Sequence, residues 1–236
     1  MDTNKSKNPF VFAFILTLTV STLLSLTATL LKDKIENNIE VDKQKNIIKS
    51  AGFDIDDMNS EQIVDSYKSL IEEVVIDSKG EEREDLSRND LLEIEDKAKG
   101  SVDYFYNNEP YYLVYKSNNA IIIPISGKGL WSTLYGYFAL DVDLETVKGI
   151  TFYKHGETPG LGAEVEKSWF QNDFKGKKIF NQKGELVSIK VYKSSSGDDI
   201  HGVDGISGAT VTSNGVTNFL KSTLDNYKPY FDRNRN

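Results

Sequence analysis

The longest apolar run in the chain, Phe10 to Leu31 (FVFAFILTLTVSTLLSLTATLL), holds 22 residues without a charge. As a helix rising 1.5 Å per residue it spans roughly 33 Å, enough for a ~30 Å hydrocarbon core. Its seven Ser and Thr hydroxyls can bond back to helical carbonyls, so they do not forbid burial in lipid. The run exceeds the apolar core of a signal peptide, and no A-x-A-like cleavage site follows it. It is therefore expected to be a single uncleaved anchor.

Beyond the anchor the pattern changes several times. Residues 42–52 (DKQKNIIKSAG) predict a short helix ended by Gly52. Asn59 is placed to cap a second helix carrying Ile63, Val64, Tyr67, Leu70, Ile71, Val74 and Val75 at helical spacing. Residues 79–100 form a charge run with scattered Leu and Ile, expected as a solvated helix or loop. After Ser101, β-branched and aromatic stretches at 111–115, 120–125, 130–142 and 147–154 alternate with turn residues and predict strands. Helical spacing returns at 164–174, with Val165, Trp169, Phe170 and Phe174 on or near one face. Residues 186–192 alternate as a strand, and a final helix is expected near 213–227.

These elements describe an α+β chain: one N-terminal transmembrane helix, then a domain built on an antiparallel sheet with flanking helices. The expected division is a short N-terminus at 1–9, the anchor at 10–31, a helical and charged membrane-proximal region at 32–100 and the main domain at 101–236. No internal repeat is visible.

Composition then removes function classes. The 236 residues include no cysteine, two histidines, and 36 acidic against 28 basic side chains, a formal net charge of −8. That balance opposes nucleic-acid binding, which needs a basic face. Without cysteine there is no disulfide, no iron–sulfur ligation by this chain and no thiolate catalysis. His155 and His201 alone cannot make a multi-histidine metal centre, and no metal site is expected. No Ser–His–Asp spacing or nucleophile elbow suggests a hydrolase, and no catalytic residue is assigned. Lys5 and Lys7 precede the anchor while Lys32, Lys34, Lys43 and Lys45 follow it, so charge leaves the orientation open.

The candidate chemistry lies in three stretches rich in glycine and small polar residues: 127–132 (GKGLWS), 155–162 (HGETPGLG) and 204–213 (DGISGATVTS). In the third, Gly205, Gly208 and Ala209 remove bulk, while Ser207, Thr210, Thr212 and Ser213 bring hydroxyls to the start of a helix. Free N–H groups and the helix dipole favour an anion there, most naturally a phosphate. The same residues also suit a plain capped turn. The P-loop signature is absent, because no lysine follows the glycines. In the second stretch Pro159-Gly160 marks a sharp turn, with Glu157 and Thr158 at the strand mouth.

Taken together, HGETPGLG at 155–162, DGISGATVTS at 204–213 and GKGLW at 127–131 resemble the FMN-binding domain of the NqrC family, subunits of the bacterial Na⁺-translocating NADH:quinone oxidoreductase. The related RnfG-type subunits of the ferredoxin:NAD⁺ oxidoreductase complex are the alternative within the class, and GKGLW favours the former. A rival from another class is an anchored module holding a dissociable phosphate-bearing ligand. The resemblance covers the anchor and residues from about 101 to 227.

The resemblance implies FMN held covalently through its phosphate on Thr210, attached by a separate FAD-consuming, magnesium-dependent flavin transferase. It implies that Asp204, Ser207, Gly208 and Ala209 form the recognition element. Glu157, Thr158, Leu161 and Gly162 would approach the flavin, with Trp131 a further member of that pocket. It also implies a carrier relaying single electrons between an iron–sulfur centre and another flavin subunit. NADH and quinone would bind on other subunits of the complex. The soluble domain would be in the periplasm, anchored to the bacterial inner membrane.

Overall fold

The structure, a computed structural model, describes residues 8–55 and 57–235. It divides into two compact units, one ending at Asp42 and the other running from Lys43 to the C-terminus.

Helix α1 (Pro9–Ser50) is continuous. The separate short helix expected at 42–52 is its last part, because nothing between Leu31 and Asp42 breaks a helix: there is no Gly or Pro. Within the apolar run Thr19, Ser21, Thr22, Thr27 and Thr29 donate to carbonyls four residues earlier at 2.6–2.9 Å. Those hydroxyls are thus satisfied inside the helix, as crossing lipid requires. Among the described residues it is the one helix long and apolar enough to cross a membrane.

In the second unit Asn59 caps α2 (Ser60–Leu70) through a capping box with Gln62. The helix stops at Leu70, short of the expected 75. Glu72–Asp77 is instead strand β1, antiparallel to β4 (Glu109–Ser117). The Val74-Val75-Ile76 run satisfies either period, and pairing with β4 decides it. The charge run also hides a strand: β2 (Leu92–Asp96) pairs with β3 (Ser101–Tyr106) at the sheet edge. Helix–loop expectation failed there because both faces of β2 are largely solvated, so its alternation carries charge rather than burial.

The sheet continues through β5 (Ala120–Lys128), β6 (Thr133–Leu140) and β7 (Val147–Lys154), all antiparallel. Gly129–Ser132 is a loop, so β6 starts three residues later than expected. Alternation divides the sheet into two faces. Ile123, Ile125, Leu134, Phe138, Ile150 and Phe152 face α4 (Thr210–Asn234), burying Val216, Phe219, Leu220, Leu224 and Phe231. Tyr115, Tyr137, Thr151 and Tyr153 belong to the opposite face, where Thr151 donates to the carbonyl of Asn46 at 3.2 Å. There Tyr137 and Tyr153 stack at 5.4 Å between ring centroids.

Three further expectations change. Residues 164–174 form a 3₁₀ turn (Gly162–Glu166) and a short α3 (Ser168–Asn172), and Trp169 is half-exposed with Nε1 donating to Glu164. The strand at 186–192 shrinks to β8 (Lys190–Val191), parallel to β9 (Gly202–Val203), because Ser188 takes φ +64° and breaks the extended run. Helix α4 extends at both ends of the expected span and carries Pro229 inside it.

Candidate functional site

Helix α4 begins at Thr210, and its N-cap is Ala209, a residue with no polar side chain to cap anything. Among the described residues the N–H groups of Thr210, Val211 and Thr212 have no acceptor; the first helical bond is Ser213 N–H to the Ala209 carbonyl at 2.9 Å. The Thr210 hydroxyl likewise has no internal partner there, and Thr210 is half-buried. Most helices fill this position with Ser, Thr, Asp or Asn. Leaving it open places three donors and the positive end of the helix dipole at one hydroxyl.

The turn before it is held from both sides. Ala209 N–H donates to the Ile206 carbonyl at 3.0 Å, and Ile206 N–H reaches Ser213 Oγ at 3.4 Å. Gly208 sits at φ +74°, a conformation that glycine adopts without strain. Ser207 and Gly208 are exposed, while Ile206 and Ala209 are buried beneath them. Asp204 accepts from Ser196 N–H (2.6 Å) and Ser196 Oγ (2.9 Å), and these bonds hold its carboxyl below the usual range. Its own N–H donates to Asp173 at 2.7 Å. Its carboxylate thus ties the 193–204 loop to the glycine turn.

The second stretch meets this helix start. Glu157 is 5% exposed, and its carboxylate accepts from Leu130, Trp131 and Ser132 N–H and from the Thr212 hydroxyl. Burial works against the anion, but the Thr212 bond and the three amides outweigh it and lower the Glu157 pKa. Thr158 turns the loop by accepting from Leu161 and Ala163 N–H at 3.1 and 3.2 Å. Leu161 lies over Gly208: a Cβ there would stand 2.9 Å from Leu161 Cδ2. Gly162 is buried against Glu157 and Thr212. Among the described residues Trp131 is anchored through its backbone alone, and the residue is 69% exposed.

All three glycine-rich stretches therefore meet at the first turn of α4. Sequence reasoning named Thr212 only as a hydroxyl at the helix start, placed Ser132 in the first glycine-rich stretch without a role, and did not single out Ser196. Thr212 carried a readable signal, a hydroxyl two residues into the helix. Ser132, which accepts from Gly156 N–H at 2.6 Å, carried none. Of the two histidines, His155 accepts from Glu157 N–H through Nδ1 at 3.3 Å and its Nε2 lies 3.2 Å from Glu166, while His201 Nδ1 lies 2.6 Å from the Lys178 carbonyl.

The residues fit a phosphate-bearing flavin. Three unpaired N–H donors suit a phosphate. The exposed apolar side chains Leu130, Trp131, Leu161 and Val211 belong to the same three segments and suit a flat ring.

Comparison with known proteins agrees. Residues 129–225 match the FMN-binding domain family. The NqrC of Haemophilus ducreyi, a subunit of Na⁺-translocating NADH-quinone reductase, is 36% identical over 233 residues, covering 87% of each chain. The chain belongs to the NqrC family. A further member of this family, from Vibrio alginolyticus, is 37% identical over 219 residues, covering 85% of this chain and 83% of its own. The crystal structure of the Parabacteroides distasonis member has 32% identity and a TM-score of 0.63, covering 85% and 96% of the two chains. That of Shewanella oneidensis NqrC has 26% identity and a TM-score of 0.64, covering 80% and 94%. The family is the one that GKGLW favoured over the RnfG type, and its members are subunits of an oxidoreductase by name.

Proposed function

We propose that this chain is a membrane-anchored electron carrier that bears FMN as a phosphoester on Thr210. The observation that carries this reading is the open start of α4: a Thr210 hydroxyl and three N–H groups unpaired among the described residues, with alanine at the cap. A phosphate ester at that oxygen receives those donors, and the charge they offset is the charge the ester brings. Asp204, Ser207, Gly208 and Ala209 form the turn that presents Thr210. Thr158, Leu161, Gly162 and Trp131 border the ring, and Glu157 stands behind them.

Threonine is a weak nucleophile unaided, so attachment falls to a flavin transferase using FAD. The Thr210 oxygen forms a bond to the FMN phosphorus, the bond to AMP breaks, and AMP leaves as the hydroxyl proton is given up. When bound, FMN supplies one-electron chemistry that no side chain here provides. The chain's own work is to hold the phosphate, order the loops and keep the cofactor from dissociating.

Within the complex, the chain would relay electrons between an iron–sulfur centre and a second flavin, both on neighbouring subunits. It has no cysteine of its own for the former. Residues 10–31 would cross the inner membrane and place the main domain in the periplasm, where a tether prevents loss of the cofactor.

The test is to express the full chain in a membrane with an active flavin transferase and run a denaturing gel under ultraviolet light. Wild type should give a fluorescent band and Thr210→Ala none. A dark wild type, with a control acceptor bright, overturns covalent attachment in favour of a dissociable ligand.

A further inference from the structure

Glu157 belongs to the flavin site by position, yet its carboxylate has nothing left to offer a ligand. Oε1 accepts from Trp131 N–H at 2.9 Å and Ser132 N–H at 3.1 Å; Oε2 accepts from Leu130 N–H at 3.2 Å and the Thr212 hydroxyl at 2.7 Å. A carboxylate has about four lone-pair sites, and all four are filled. Two glycines are fitted to it. A Cβ on Gly129 would stand 2.6 Å from Oε1, and one on Gly162 would stand 2.7 Å from Oε2 and from Thr212 Oγ1.

We infer that Glu157 is a positioning residue, a buried anion that clamps the 130–132 loop to the first turn of α4. It orders Trp131 around the flavin without touching it. This rests on FMN being carried at Thr210. Three consecutive amides converge on one acceptor, so the loop has a single arrangement only while the acceptor is charged. Thr212, two residues beyond Thr210, makes the link to the helix start. The arrangement also explains the alanine cap: the anion near this helix comes from another loop and engages a hydroxyl, leaving the first N–H groups free. Gly156 N–H to Ser132 Oγ closes the same ring of contacts from the other side at 2.6 Å.

The experiment uses the full-length chain in two forms. Without flavin, hydrogen exchange at Leu130, Trp131 and Ser132 is compared in wild type, Glu157→Gln, Glu157→Asp and Thr212→Val. Loss of a charged acceptor should speed these amides by about tenfold or more. Asp should restore part of the protection, and Thr212→Val should loosen the loop less than Gln does. With flavin, Trp131 emission and the FMN midpoint potential are read. Glu157→Gln should relieve quenching of Trp131 and raise the potential, because a negative charge near the cofactor is gone. Thr212→Val keeps that charge and should leave the potential closer to wild type. Unchanged exchange in Glu157→Gln overturns the clamp, and faster exchange with unchanged emission and potential overturns its role toward the flavin. If Glu157→Gln does not fold, Thr212→Val and Gly162→Ala are read instead, and wild-type exchange in both overturns the clamp. A wild type without flavin overturns attachment at Thr210, while the flavin-free comparison still decides the clamp.

Discussion

Leu161 Cδ2 lies 2.9 Å from the point where a side chain on Gly208 would begin, so the loop after Pro159 closes directly over the turn that presents Thr210. Gly208→Ala meets two obstacles there. The leucine tip can swing aside, but φ +74° remains strained for any L side chain. The variant should lose about 1 kcal/mol of stability and load flavin more slowly. Adding Leu161→Ala should remove the contact without restoring stability, which chemical denaturation of the single and double variants would show.

The Glu157 carboxyl is held below its ordinary value, and the sign of its pH dependence follows. A depressed folded-state pKa adds stability that is complete above the unfolded value, near 4.3, and is lost as pH falls through the folded one. Thermal midpoints of wild type and Glu157→Gln should therefore be furthest apart above about pH 5 and converge in acid. A constant difference down to low pH would show that the charge of Glu157 is not what stabilises the loops.

Ser188 is a strained position with no functional contact. It is 2% exposed, holds φ +64°, and among the described residues its hydroxyl has no partner. Ser188→Gly relieves both penalties against a smaller entropic cost and should stabilise the domain by roughly 1 kcal/mol. A lowered denaturation midpoint would contradict this.

At the start of α2, Asn59 accepts from Gln62 N–H at 3.0 Å, and the Gln62 side chain accepts from Asn59 N–H at 2.9 Å. Asn59→Ala should cost about 1 kcal/mol. Asn59→Asp or Asn59→Ser should cost much less, as equilibrium unfolding of the three variants would reveal.

Much of this architecture was legible in the chain, and the exceptions share a cause. The long apolar helix, the cap at Asn59 and the strands β4 to β7 declare themselves through local pattern. Strand β1 was hidden because Ile71, Val74 and Val75 fit a helical spacing equally well, and only distant pairing with β4 settles the choice. Strand β2 was hidden because an edge strand solvated on both faces has no burial pattern to reveal. At the site, the run from Ser207 to Thr210 was visible as small residues before a helix. The bonds of Glu157 were not, since its partners lie 25–27 residues before it and 55 after it. Local chemistry marks which segments matter, whereas the contact between segments is a property of the fold.

The central claim is covalent FMN on Thr210, and peptide mass analysis of the full-length protein matured with a flavin transferase tests it most directly. Trypsin should release residues 194–221 as one peptide, since Lys193 and Lys221 bound a stretch without Lys or Arg. The predicted result is a peptide heavier by FMN less one water, with fragmentation placing the addition on Thr210. An unmodified peptide, or the addition on Ser207 or Thr212, would contradict it.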